Sequence, residues 1–351
     1  MMLDILLTSA IPLLLLFTAL WGSKKDSSGT YFFSKEYTRT LKGLCAIVVM
    51  MVHIPEEFGN PLQDVIGSFA FVAVTCFFLI SAYGMHYSLA HKSDYLSHFW
   101  RNRVVSLLAP QLLVNIIGFI AFGALFISHL TSEAPDPLGL LHLDSYVLLL
   151  LLYCLVFYVC ALLFNKRGKS ACVRDAIILS AVAASSLTVY FISQGEGFMA
   201  VFGWPYERIG LIWGVLLFLF FDGFTSWLQK DRVIKLVVFS TLCLCVGFLY
   251  LKYKTFFFWG EYMLKVLLGV LLIILLFLIS RRFTFTNRLS RFFGDISYEM
   301  YLLHLMVYSV VAELLPDVSS GIFILLTFAA TILLSYLTHI IAIRIMALLR
   351  Q

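Results

Sequence analysis

The stretch TLKGLCAIVVMMVHIPE, residues 40–56, decides the fold. It carries a lysine at position 42, runs through apolar residues of helical character, meets a histidine at position 53 and stops at Pro55. A histidine that deep in an apolar run belongs in a bilayer only where it faces protein or a polar cavity, so the segment reads as an inward-looking membrane helix. The same reading extends outward over the chain. Its 351 residues are 61% hydrophobic and 13% charged, with a mean hydropathy of +0.95. That is more apolar material than one soluble core can bury, and a bilayer is its natural solvent.

Apolar stretches long enough to cross the hydrocarbon core predict helices over 3–21, 40–56, 65–88, 104–128, 140–164, 174–193, 208–228, 233–251, 262–280, 297–315 and 320–348. The expected fold is all-α, a polytopic bundle of about 11 transmembrane helices. The loops support these spans. Segments 22–42, 86–103, 165–175, 229–235, 281–291 and the C-terminal end hold 21 of the 25 basic residues, and the remaining four are Arg208, Lys252, Lys254 and Lys265. The intervening loops are acidic or neutral, carrying Glu56, Glu57, Asp64, Glu133, Asp136, Glu196 and Glu207. By the positive-inside rule the N-terminus lies outside and the C-terminus inside. The first run is followed by Lys24 and Lys25 and lacks a basic leader, so it reads as an uncleaved helix.

The net charge of +5 is spent on topology, which excludes nucleic acid as a partner. The seven cysteines lie in or beside apolar runs and read as packing residues. No Cys/His cluster has metal-ligand spacing, so no metal is expected.

Lys42 and His53 are eleven residues apart, three helical turns plus about 20°, and so share a face with roughly 16 Å of helix between them. Arg39 lies within about 40° of that face and extends a basic stripe. An imidazole titrating near neutrality suits removal of a proton from a hydroxyl, whereas the bland alternative is a neutral histidine bridging two helices. Lys42 alone reads as an ordinary boundary lysine. Glu299 and His304, five residues apart and about 140° around the helix, face different neighbours.

The stretch LKGLCAIVVMMVHI (41–54), followed in order by CFFLISAYGM (76–85), FWRNRVVSLLAP (99–110) and FFGDISYEMYLLHL (292–305), resembles the acyltransferase 3 family of integral membrane acyltransferases. The resemblance implies O-acylation, usually acetylation, of a cell-envelope carbohydrate, with acetyl-CoA or another acyl-CoA as cytoplasmic donor and no metal. The sequence has no N-x-S/T sequon, which fits the expected setting, a bacterial cytoplasmic membrane. His53 matches the family's essential histidine and is the expected catalytic base. Lys42 stands where an arginine is typical, exchanging a rigid phosphate-binding fork for a point charge. Arg39, Arg101 and Arg103 complete the expected site for the CoA phosphates, with Ser106 where a second arginine is common; plain positive-inside topology is the competing account of these arginines. His142, Asp144, Ser145, Glu299 and His304 are the expected substrate-binding candidates.

Residues 38–351 are expected to form the acyltransferase domain, with 1–37 an added N-terminal helix and basic loop. The partners expected are acyl-CoA, a carbohydrate or lipid-linked glycan acceptor and membrane lipid, with a homo-oligomer left open. The alternatives are a transporter or flippase of a lipid-linked saccharide, which requires paired broken helices that the sequence does not display, and a non-catalytic relative.

Overall fold

The computed structural model describes residues 2–26, 29–128, 130–131, 134–164, 169–192 and 203–350. Glu133, Glu196, Lys166 and Arg167, which entered the loop count, lie outside the described residues. The fold is all-helical apart from one two-residue ladder, in which β1 (Lys24–Lys25) pairs antiparallel with β2 (Phe283–Thr284). That ladder joins two of the basic loops.

The helices in chain order are α1 (Met2–Thr8), α2 (Ala10–Leu20), α3 (Lys35–Val52), α4 (Pro61–Ser68), α5 (Phe71–His91), α6 (Phe99–Ile127), α7 (Ser145–Leu163), α8 (Lys169–Ile192), α9 (Ile209–Leu219), α10 (Phe221–Gln229), α11 (Arg232–Tyr253), α12 (Lys265–Ser280), α13 (Arg288–Leu314) and α14 (Ser320–Leu349). A π-helical turn, Trp259–Leu264, leads into α12. Among the described residues eight helical stretches are long and apolar enough to span a membrane, and the bent pair α9–α10 makes up to nine. The expectation of about 11 also counts α3 and α13. These carry Lys35, Glu36, Arg39 and Lys42 in one case and Arg288, Arg291, Asp295, Glu299 and Glu313 in the other, so their composition alone does not mark them as spans.

Several boundaries differ from expectation. Among them is the start of the predicted helix 297–315, which moves back to Arg288 behind an Asn287–Ser290 capping box. Three more have a clear physical reason. The predicted helix 208–228 breaks at Phe220, and α10 turns 88° away from α9. Asp222, Thr225, Ser226 and Gln229 stand at i, i+3, i+4 and i+7, giving α10 one polar stripe that suits it to lie along the membrane surface. The predicted helix 140–164 starts only at Ser145, because Asp144 caps it by accepting the Tyr146 N–H at 2.8 Å. The predicted helix 40–56 begins earlier, at Lys35, where Ser34 accepts the Tyr37 N–H at 3.2 Å. It ends at Val52.

The core of the bundle is the crossing of α3 and α13. It is close because both helices present glycine there. A Cβ on Gly43 would lie 2.6 Å from the Gly294 nitrogen, and one on Gly294 would strike the Arg39 backbone. Small residues let backbones approach where apolar burial gives helices in lipid no driving force to associate. The tight crossing sets the relative depth of everything the two helices carry.

Candidate active site

The end of α3 is built to hold a side chain. The last carbonyls of a helix lack intrahelical partners. Here each of three finds a side chain instead: Val49 O faces His53 Nδ1 at 3.0 Å, Met50 O accepts the Tyr308 hydroxyl at 2.9 Å and Met51 O accepts Gln63 Nε2 at 2.7 Å. Tyr308 comes from α13 and Gln63 from α4, so two neighbours fix the point where His53 leaves the helix.

His53 meets His304 of α13, with Nδ1 of the first 3.1 Å from Nε2 of the second. The surrounding groups determine which nitrogens carry protons. His304 Nδ1 faces the Met300 carbonyl at 3.2 Å, and a carbonyl only accepts, so His304 is protonated on Nδ1 and offers a lone pair at Nε2. His53 Nδ1 therefore faces two acceptors, that lone pair and Val49 O, and carries the proton itself. His53 Nε2 is left with a free lone pair and, among the described residues, no protein partner. This is the tautomer a general base requires.

Asp144 is the carboxylate in electrostatic reach of His53. It accepts the Tyr301 hydroxyl at 2.8 Å, and the Tyr301 ring lies 5.9 Å from that of His304. The acidic candidate thus joins the histidine pair through α13. Its neighbours diverge: His142 is exposed and, with Asp144, lines a cavity of about 670 Å³ between α6 and α13. Ser145 faces the other way and accepts the Trp204 indole N–H at 3.1 Å. Glu299 is separate from this cluster and pairs with His339 of α14 at 2.8 Å.

The basic residues gather at the opposite end of α3. Arg103 lines a cavity of about 490 Å³ together with Lys92, His98, Asn102, Ser106 and Arg350. Its guanidinium lies 3.4 Å from the Tyr95 hydroxyl and 5.9 Å from the Phe99 ring centre. Ser106, smaller than the arginine expected there, leaves that cavity open. Lys42 is half-buried, makes no ion pair among the described residues and is within electrostatic reach of Arg103. Two expected members stand apart. Arg101 is exposed and, two residues from Arg103, projects about 160° away from it around the helix. Arg39 has its planar fork filled by Asp295 in a bidentate pair, with Glu36 at 3.5 Å, so it ties α3 to α13.

A buried polar cluster that sequence reasoning did not single out lies between α5 and α8. His86 Nε2 is 3.4 Å from Asp175, whose carboxylate is also held by Arg174 at 2.8 and 3.1 Å. The only sequence signal was a histidine inside an apolar run.

No curated protein and no solved structure matches the chain. The sequence profile of an acyltransferase domain, that of the acyltransferase 3 family, matches residues 36–340. This range takes in α3 with Lys42 and His53, the Arg103 cavity and α13 with His304. With apolar helices along its length, the chain belongs to the acyltransferase 3 family and is a multi-pass membrane acyltransferase.

Proposed function

We propose that the protein is an O-acyltransferase that moves an acyl group, acetyl in the first instance, from cytoplasmic acyl-CoA to a hydroxyl of a cell-envelope carbohydrate. In this reading it sits in a bacterial cytoplasmic membrane with its N-terminus outside and its C-terminus inside, the orientation that the alternating loop charges favour. The observation that carries the reading is the free Nε2 lone pair of His53, held in place by His304.

The donor's phosphates lie in the Arg103 cavity, with Lys42 adding charge from α3. Roughly 16 Å of helix separates Lys42 from His53, so the pantetheine arm runs along α3 toward the histidine. His53 Nε2 takes the proton of the acceptor hydroxyl as its oxygen attacks the thioester carbonyl. A C–O bond forms, the C–S bond breaks and the thiolate of CoA leaves. The proton held on His53 then passes to that thiolate, giving CoA and the ester. During the step His53 is an imidazolium whose Nδ1–H donates to His304, with the Asp144 charge favouring it.

Acetyl-CoA binding to the detergent-purified protein, measured by calorimetry in wild type and Arg103→Ala, tests the donor half of this reading. Binding that weakens in the variant supports it. No binding by the wild type overturns it and redirects attention to saccharide transport, for which the single bend at α9–α10 is the only broken span among the described residues.

A further inference from the structure

His53 itself lines a third cavity, of about 260 Å³, bounded by Ala70, Phe71, Trp204, Tyr206, Glu207, Lys254 and Lys265 among others. We propose that this cavity is the acceptor subsite and that it is shaped for one saccharide unit bearing an anionic group, a carboxylate or a phosphate. The inference rests on the reading of His53 as the base, since it places the reacting hydroxyl beside that side chain.

Four features of the cavity point to such a ligand. Trp204 forms a flat wall that is held at a cost: its φ is +69°, a conformation uncommon for a bulky residue, and its indole N–H is anchored on Ser145. A fixed aromatic plane suits the apolar face of a sugar ring. Glu207 is 5% exposed, and its Oε2 is buried with no hydrogen-bond partner among the described residues. An unsatisfied buried oxygen calls for an explanation, and a donated ligand hydroxyl supplies one.

The third feature is charge. Lys265 makes no ion pair among the described residues; its ammonium lies 3.5 Å from the centre of the Tyr206 ring and 5.3 Å from that of Phe71. Lys254 is exposed at the same cavity. Arg208, next in sequence to Glu207, is turned onto backbone carbonyls, with Trp204 O at 3.0 Å and Gly203 O at 2.6 Å. The cavity therefore offers two ammonium groups against one carboxylate.

The fourth feature is topological. Only Arg208, Lys252, Lys254 and Lys265 depart from the segregation of basic residues to one side. Two of these four line the cavity beside His53. Positive charge on the face that otherwise excludes it is accounted for by an anionic ligand.

Calorimetry on the full chain in detergent, without donor, tests this with methyl glucuronide, a methyl glucoside phosphate, neutral methyl glucoside and inorganic phosphate as probes. The expected result is that at least one charged sugar binds about tenfold or more tightly than the neutral one. Lys265→Gln removes that preference, and Lys265→Arg retains it. Which charged sugar binds better separates carboxylate from phosphate. Lys254→Gln, at an exposed position, serves as a second variant should Lys265→Gln fail to fold, and is expected to narrow the preference. Equal binding of charged and neutral sugars, a preference unchanged in the variants, or inorganic phosphate binding as well as the sugars overturns the proposal, whatever the protein does with acetyl-CoA. Preferential binding of a charged sugar without any acyl transfer keeps the cavity as a site for an anionic saccharide and removes its acceptor role together with the catalytic reading.

Discussion

His304 is the side chain whose replacement reads out the chemistry most finely, because it touches neither donor nor acceptor in this account. Its Nε2 accepts the Nδ1–H of His53 at 3.1 Å, and when His53 takes a proton that bond becomes charge-assisted. Such bonds contribute about 1.5–3 kcal/mol, against about 0.5–1.5 kcal/mol for neutral ones. In His304→Ala the His53 proton still has Val49 O at 3.0 Å, so the tautomer survives and only the added stabilisation is lost. That added part is about 1–1.5 kcal/mol, so at roughly 1.4 kcal/mol per decade the expected fall in kcat is about five- to tenfold, with KM for acetyl-CoA unchanged. His304→Gln, whose amide oxygen reaches a similar point, is expected to recover part of that loss. The assay is release of CoA thiol in detergent or proteoliposomes with acceptor present. A His304→Ala enzyme within twofold of wild type would refute the reasoning, as would a loss confined to KM.

The remaining predictions concern charge, packing and pH. Arg103→Ala is expected to weaken acetyl-CoA binding by about tenfold or more, while Arg101→Ala, on the opposite side of α6, changes it less than about twofold; calorimetry on both decides whether the inner cavity holds the phosphates. Gly43→Ala places a methyl group 2.6 Å from the Gly294 nitrogen and is expected to cost about 1–3 kcal/mol, read as a lowered melting temperature in detergent. Burial pushes the Glu207 carboxyl up to about 7 from an ordinary 4.5, with Lys265 and Arg208 opposing the rise. Between those two values the folded protein keeps a proton that the unfolded chain has lost, so this group's contribution to stability falls as pH rises and is fully lost above about 7. Melting curves at acid and mildly alkaline pH should show a steeper decline for wild type than for Glu207→Gln, and parallel declines contradict the assignment.

Hydropathy made most of the fold legible, since a helix facing lipid must be apolar along about 20 residues. It marked the outer helices best. The two central ones, α3 and α13, are shielded by neighbours and carry charge, so the apolar runs 40–56 and 297–315 found both helices but missed their charged first turns. The bend at Phe220 was present in the sequence as the Asp222, Thr225, Ser226, Gln229 stripe, but it is a short signal beside a long apolar run. Spacing along α3 related Lys42 to His53, yet nothing local joined His53 to His304, 251 residues away. That contact depends on the register of the α3–α13 crossing, which Gly43 and Gly294 set through backbone approach. Likewise the third motif offered Arg101 beside Arg103, and the phase of α6 separates Arg103 in a cavity from Arg101 in the open. Trp204 and Glu207 gave no motif at all; their single trace was the set of basic residues on the wrong side for topology.

The most direct test of the account is the rate of CoA release from acetyl-CoA, with acceptor present, in wild type and His53→Ala, alongside acetyl-CoA affinity in both. The account predicts that His53→Ala keeps its affinity and loses about a hundredfold or more in rate, the contribution of a positioned general base. A variant that turns over at the wild-type rate would contradict it, and His53 would then be only a neutral bridge between α3 and α13.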